Sequence, residues 1–270
     1  MKLFAALTAD ELRTLAKLTC AHPVFRVYVS DALATTRRGA TNRTALVGQG
    51  GTGAALGIVF ERTEVRTIIG RLSETEEWAV ADLPHAGELH LDRSSAGRIR
   101  ERLGDRVISA HELKYYALDH RPERAADLRC VRLGGEHLKT ITDLFASHYP
   151  DTIFSPWMLE RLFLGIVEHG EFEACGGVIA AGEGIANVGN FLTAPKARGR
   201  GLCRAIAATL AHRLFDQGMS QVTLGTTEDN TAACRAYEAV GFRCFDRRLQ
   251  LDLSETIGPP QFGLGRSLRA

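Results

Sequence analysis

Apolar positions recur every four residues through 202–214, at Leu202, Ile206, Leu210 and Leu214, with Ala205 and Thr209 beside them. That spacing predicts one buried helix face. The segment before it, 187–193, is short and apolar, and reads as a strand that Pro195 must end because it cannot donate to a ladder. Gln217-Gly218 closes the helix, 221–225 is a further strand, and Asn230 opens a helix that Gly241-Phe242 ends. Two strands should then finish the pattern at 248–253. Upstream, the capping box Thr8–Glu11 opens a helix to about Thr19. A second helix covers 24–35, and strands follow at 44–47, 54–60 and 66–70. A short helix at 74–80, a strand at 88–91, a helix at 94–103 stopped by Gly104, and strands at 107–110 and 113–118 complete the first half. After a Pro-containing linker at 120–126, the pattern predicts a strand at 128–133, a helix at 136–149, a helix opened by Ser155-Pro156, and strands at 165–168 and 172–181. The succession predicts a mixed α/β protein, a mixed sheet flanked by helices.

Composition adds exclusions. Of 270 residues, 45% are hydrophobic and 24% charged, an ordinary globular balance. Net charge is +1, and both halves split at Asp127 are near neutral, with 18 basic and 16 acidic residues before it and 15 and 16 from it on. No nucleic-acid partner is expected from such a distribution. Six cysteines form no C-x-x-C pair and no Cys/His metal spacing, which reads as scattered thiols in a cytoplasmic protein without a metal. No run of about 18 apolar residues is present and the apolar N-terminus is too short for a signal peptide, so no membrane span is expected. The glycine-rich run 48–53 precedes a strand rather than a helix, and reads as a hairpin, not a phosphate loop.

The chemistry concentrates between strand 187–193 and helix 202–214. Helix N-termini carry unpaired N–H groups and partial positive charge, so they suit anions. Gly199 and Gly201 allow close backbone approach, and Arg198 and Arg200 add charge suited to phosphate. The stretch lacks G-x-x-x-x-G-K-[ST] and has two of the three dinucleotide-fold glycines. Arg198-Gly-Arg-Gly201-Leu-Cys203 resembles instead the acyl-CoA signature of the GNAT superfamily of N-acyltransferases, [QR]-x-x-G-x-[GA], with Cys203 replacing its last small residue. Residues 230–242, Asn230 through Tyr237 to Gly241-Phe242, are similar to the second signature of that superfamily. The resemblance covers roughly 127–253.

The resemblance implies a GNAT acyl-CoA N-acyltransferase fold in which the fourth and fifth strands splay and pantetheine lies between them. Here those strands are 186–193 and 221–226. Main-chain groups of Phe191 and Thr193 would bond pantetheine, with Gly189-Asn190 as the bulge opening the strand. The Leu192 N–H would be the oxyanion donor. Arg198, Gly199, Arg200, Gly201, Leu202 and Cys203 would hold the pyrophosphate, Asn230 the pantetheine, and Tyr237 would protonate the thiolate. Glu173, Glu228, His148 or a water chain would serve as base, and Phe154 and Trp157 would face the acceptor or the core. Acetyl-CoA would be the cosubstrate, and a small amine or amino acid the acceptor, with a homodimer left open. A CoA-binding sensor without turnover is the alternative. Aligning Gly104 with Gly241 sets Arg93 at the Asn230 position and Arg100 at the Tyr237 position, with no counterpart of the phosphate loop. Residues 1–125 thus read as a degenerate GNAT-like lobe without a cofactor site, 126–253 as the N-acetyltransferase domain and 254–270 as an irregular tail. The tandem arrangement resembles the glycine N-acyltransferase type.

Overall fold

A computed structural model describes residues 2–36, 43–47, 53–59, 64–70, 87–150, 152–168 and 170–254. The expected helix at 74–80, all but the last residue of the loop 48–53, and the tail beyond 254 lie outside the described residues. In chain order the elements are β1 (Lys2–Leu3), α1 (Ala9–Thr19), α2 (Pro23–Thr36), β2 (Arg43–Val47), β3 (Gly53–Val59), β4 (Glu64–Gly70), β5 (Gly87–Leu91), α3 (Arg93–Leu103) and β6 (Val107–Leu118). Then come β7 (Cys130–Arg132), α4 (Leu138–His148), β8 (Phe163–Glu168), β9 (Glu171–Gly182), β10 (Ile185–Thr193), α5 (Leu202–Asp216), β11 (Gln221–Thr227), α6 (Thr231–Glu238) and β12 (Arg243–Leu253). The Thr8 capping box forms as the sequence predicts: Glu11 N–H donates to Thr8 Oγ1 at 3.2 Å and Thr8 N–H to Glu11 Oε2 at 2.8 Å. Where two strands were expected at 107–118, and two after Gly241, one long strand forms each time. The two long strands pair with each other along their length, with register shifts that absorb the irregular positions.

All described strands join one sheet in the order β1-β2-β3-β4-β5-β12-β6-β11-β10-β9-β8-β7. Among the described residues, only β4–β5 and β10–β11 pair in parallel. Each of these pairs is joined at three positions and is followed by a capped helix and a long antiparallel strand. The same arrangement therefore occurs twice in the chain. The last strands of the two halves are exchanged: β6 lies beside β11, and β12 lies beside β5. The sheet runs unbroken through the junction expected near residue 125.

Alternation along β6 sends Tyr115 and Tyr116 to opposite faces. Tyr116 joins the larger core with Val188, Leu202, Ile206, Leu210, Leu224 and Tyr237. Tyr115 packs with Leu15, Phe25 and Val29 under α1 and α2. In α3 the side chain of Asp92 accepts from Ser95 N–H at 3.0 Å, so Asp92 is the N-cap and stands where Asn230 stands in α6. Counting from the caps puts Ile99, not Arg100, at the place of Tyr237, and Ile99 is a buried core residue. Alignment from the glycines slips by one because Gly104 lies twelve residues after the cap Asp92, whereas Gly241 lies eleven after Asn230.

Asp246 of β12 accepts from His22 Nε2 at 2.9 Å and from Arg248 Nε at 2.7 Å. Burial pushes the His22 imidazole below its ordinary range, so at neutral pH it is an uncharged donor to Asp246. Burial alone would raise the Asp246 carboxyl, but the His22 hydrogen bond and the nearby Arg248 charge outweigh it and hold it at about 2. A carboxyl with a depressed folded pKa gives stability above its unfolded range that is lost as pH falls through the folded value. Asp246→Asn should cost roughly 1–2 kcal/mol at pH 7. The difference should shrink as pH falls from about 4 towards about 2, measured by urea unfolding across that series.

Strand exchange generates a second expectation. A chain beginning at residue 126 leaves β11 and β12 without β6 and removes the fully buried Tyr116 and nearly fully buried Leu118 from the larger core. Deleting a large buried side chain alone costs about 3–5 kcal/mol. The shortened chain should lack cooperative thermal unfolding and bind hydrophobic dyes, and co-expression with 1–125 should restore a cooperative transition.

Candidate active site: a split sheet above a phosphate-type loop

β10 and β11 pair at Ile185–Gln221, Ala186–Val222 and Asn187–Thr223, and nowhere beyond. Past that point β11 stays bound to β6 through Thr227, while β10 follows β9. A gap therefore opens between residues 188–193 and 224–227. β10 shifts register against β9 between Gly189 and Leu192, and Asn190 takes φ 53°. Asn is among the few side chains that tolerate this conformation. A Cβ on Gly189 would sit 2.4 Å from Ile179 Cδ1, so the bulge also needs a bare backbone there.

The bulge sets which peptide groups face the gap. The Asn190 carbonyl lies 4.0 Å from Cys175 Sγ on β9. In a trans peptide the following N–H points the other way, so the Phe191 N–H is turned into the gap. Leu192 does the reverse. It pairs with Cys175, its N–H lies against the Cys175 thiol, and its side chain is buried. Ala194 N–H donates to Glu173 carbonyl at 2.8 Å, which turns the Thr193 carbonyl towards the gap. The expectation for Leu192 is thus corrected: strand alternation directs its N–H to β9, and Phe191 and Thr193 present the gap-facing groups.

Beyond β10, Gly199 and Gly201 take φ 76° and 73°, conformations that favour glycine. Gly201 is the N-cap of α5, and its carbonyl accepts the first helical bond, from Ala205 N–H at 3.0 Å. The N–H groups of Leu202, Cys203 and Arg204 therefore open towards the loop. Arg198 is exposed at the loop surface. Arg200 turns away from the helix end: its Nη1 donates to Glu173 at 2.5 Å and its Nη2 to Glu168, which also accepts from Arg129 at 2.7 Å. In this arrangement Arg200 fastens the loop to β8 and β9. The cation that sequence reasoning missed is Arg204. Its guanidinium covers Gly201, where a Cβ would meet Nη2 at 3.2 Å, and its Nε is buried without a hydrogen-bond partner. Position in the first turn of a glycine-capped helix was the available signal.

Across the gap, Asn230 caps α6, accepting from Ala233 N–H at 3.2 Å. Tyr237, two turns later, is buried, with its ring 5.4 Å from Phe191 and 6.2 Å from Tyr116 and Phe242. Its hydroxyl lies close to the Cys203 thiol. Burial, reinforced by the neighbouring thiols, raises the phenol well above its ordinary value. Burial likewise pushes Cys203 to about 12, the nearby Tyr237 hydroxyl only partly opposing it. Tyr237, Cys203 and Phe191 thus meet at one place, between loop and gap.

The base candidates fare differently. Arg247 and Lys114, at 2.6 and 2.9 Å, hold Glu228 at about 2, leaving it a weak base. Glu173 is buried and engaged by Arg200. His148 is exposed at the end of α4, on a cleft with Phe172, Pro195 and Lys196. The expected helix after Ser155 is a 3-10 turn, Pro156–Glu160. Phe154 is core, its ring 5.2 Å from Phe145 and 5.6 Å from Phe163, whereas Trp157 is half-buried beneath Arg161, 5.1 Å from its ring centre. Among the described residues no cluster suited to a metal occurs, and no helix is long and apolar enough to cross a membrane.

Residues 136–242 match the acetyltransferase (GNAT) family. No curated protein matches the chain. Among solved structures, a GNAT-family acetyltransferase of Novosphingobium aromaticivorans is 24% identical with TM-score 0.50, over 56% of this chain and 67% of that one. A Drosophila protein is 12% identical with TM-score 0.70, over 92% and 97% of the two chains. A tandem GNAT protein of clavulanic acid biosynthesis is 14% identical with TM-score 0.59, over 96% and 98%. These likenesses extend the fold across both halves. Residues 136–242 are thus similar to the GNAT acetyltransferases by sequence, and the solved structures share their fold.

Proposed function

We propose that the chain is an acyl-CoA-dependent N-acyltransferase that moves an acetyl group from acetyl-CoA to the amine of a small molecule or amino acid. The carrying observation is the convergence of Phe191, Cys203 and Tyr237 where the split sheet meets the glycine loop. In this reading the pyrophosphate rests on the N–H groups at the start of α5, beside Arg198 and Arg204, and pantetheine bonds Thr193. The amine attacks the thioester carbonyl, and the Phe191 N–H stabilises the oxyanion. As the carbon–sulfur bond breaks, Tyr237 passes its proton to the departing thiolate. A phenol raised well above its ordinary range is a reluctant acid towards a thiol in water. The same dry pocket pushes the Cys203 thiol to about 12, so a CoA thiolate there gains comparable basicity and transfer is better matched. With Glu228 held ionised by two cations, loss of the amine proton to water is the favoured route. A CoA sensor without turnover would need no proton donor at this point. Thiol release from acetyl-CoA over a panel of amines separates the two readings.

Tyr237→Phe keeps the ring and removes the donor. Turnover should fall about 10²-fold with KM for acetyl-CoA nearly constant. Because the phenol is raised, no loss of activity attributable to its ionisation should appear up to about pH 10. Steady-state kinetics over pH will measure both, and wild-type turnover in the variant would remove Tyr237 from the mechanism.

Gly201→Glu forces a side chain into a left-handed position, against Arg204, with a negative charge at the helix start. Calorimetry should find no CoA binding to a variant whose circular dichroism matches wild type.

A further inference from the structure

The gap is closed at one end by a chain of side chains that crosses between the two halves. Asn187 and Thr223 are the last paired residues of β10 and β11. Asn187 Nδ2 donates to Thr223 Oγ1 at 3.0 Å, and Thr223 Oγ1 in turn donates to the Ala186 carbonyl at 3.3 Å. Asn187 Oδ1 accepts from the hydroxyl of Tyr28, at 2.9 Å. Asn187 and Thr223 are buried, so each lost partner leaves a polar atom in a dry site. Tyr28 belongs to α2, in the first half of the chain. Around it, Val27 packs on Ala180 and Ile185, and Asp31 accepts from Ala181 N–H at 3.2 Å and pairs with Arg161 at 2.6 Å. α2 is therefore held on the strands of the GNAT domain at both sides of Tyr28. The opposite wall of the gap also depends on the first half, since β11 is held by β6 from Val222 to Thr227.

We propose that Tyr28 is a positioning residue for the thioester: from the first half of the chain it fixes, through Asn187 and Thr223, the point at which β10 and β11 separate. This inference rests on the acyl-CoA reading above. The separation point sets how deeply the acyl-pantetheine arm seats against Phe191, whereas the phosphate loop lies beyond the far end of β10. Disturbing the chain should thus affect the acyl arm and spare the nucleotide end.

Calorimetry with two probes tests this without knowledge of the acceptor. Acetyl-CoA reports the arm, and adenosine 3′,5′-bisphosphate reports the nucleotide end alone. Tyr28→Phe should weaken acetyl-CoA about tenfold, as one net hydrogen bond would. Bisphosphate binding should stay within twofold. Thr223→Val should act alike, the double variant should bind no more weakly than either single one, and Thr223→Ser should restore the wild-type ratio. If Tyr28→Phe does not fold, the Thr223 pair of variants carries the test. Equal weakening of both probes, or unchanged acetyl-CoA affinity in folded variants, would overturn the proposal. Wild-type protein that binds neither probe would overturn the acyl-CoA reading on which it rests.

Discussion

Two neighbouring strands that stop pairing after three residues form the constraint on which this structure depends. A buried strand normally spends its N–H and C=O groups on its neighbours, and unpaired groups are costly. Here the sheet gives up that pairing beside its own core. Everything nearby is arranged to hold the breach at one size. Gly189 lets Ile179 close in from one face, Asn190 absorbs the left-handed turn, and the Asn187–Thr223 bond seals the end. What remains is a pair of facing strand edges that do not pair with each other.

Holding the breach requires both halves of the chain. Asp31, buried on α2, pairs with the partly buried Arg161 at the end of the 3-10 turn after Ser155. Such pairs seldom add much stability, because desolvation offsets the attraction, but breaking one leaves a stranded charge. The pair therefore dictates where α2 may lie on β9. Arg200 acts in the same manner at the other end, tying the glycine loop to Glu168 and Glu173. The loop's backbone, not this arginine, is left free to meet an anion.

Much of this was legible in the sequence. Periodicity located nearly every described helix and strand, and Asn230 was readable as a helix cap because capping is local. Four features were not legible. The direction of the Leu192 N–H depends on which edge of β10 faces its partner, and a one-residue bulge changes that. Arg200 reads as a phosphate ligand until Glu168 and Glu173, about 30 residues earlier, are brought beside it. The Tyr28–Asn187 contact joins residues 159 apart, and no local pattern announces it. The strand exchange was hidden for the same reason, since both long strands carry a pattern that fits either half.

That exchange has a consequence for how the chain must be made. β12 is the last described element, and it inserts between β5 and β6, which are synthesised more than 120 residues earlier. During translation at about 5–20 residues per second, the first half therefore waits with two strand edges open for several seconds. Contacts so distant in sequence also slow the final step once the chain is released. The nascent protein passes through a state whose exposed edges invite pairing with other chains. Its yield in a cell will depend on what shelters those edges until the last strand arrives.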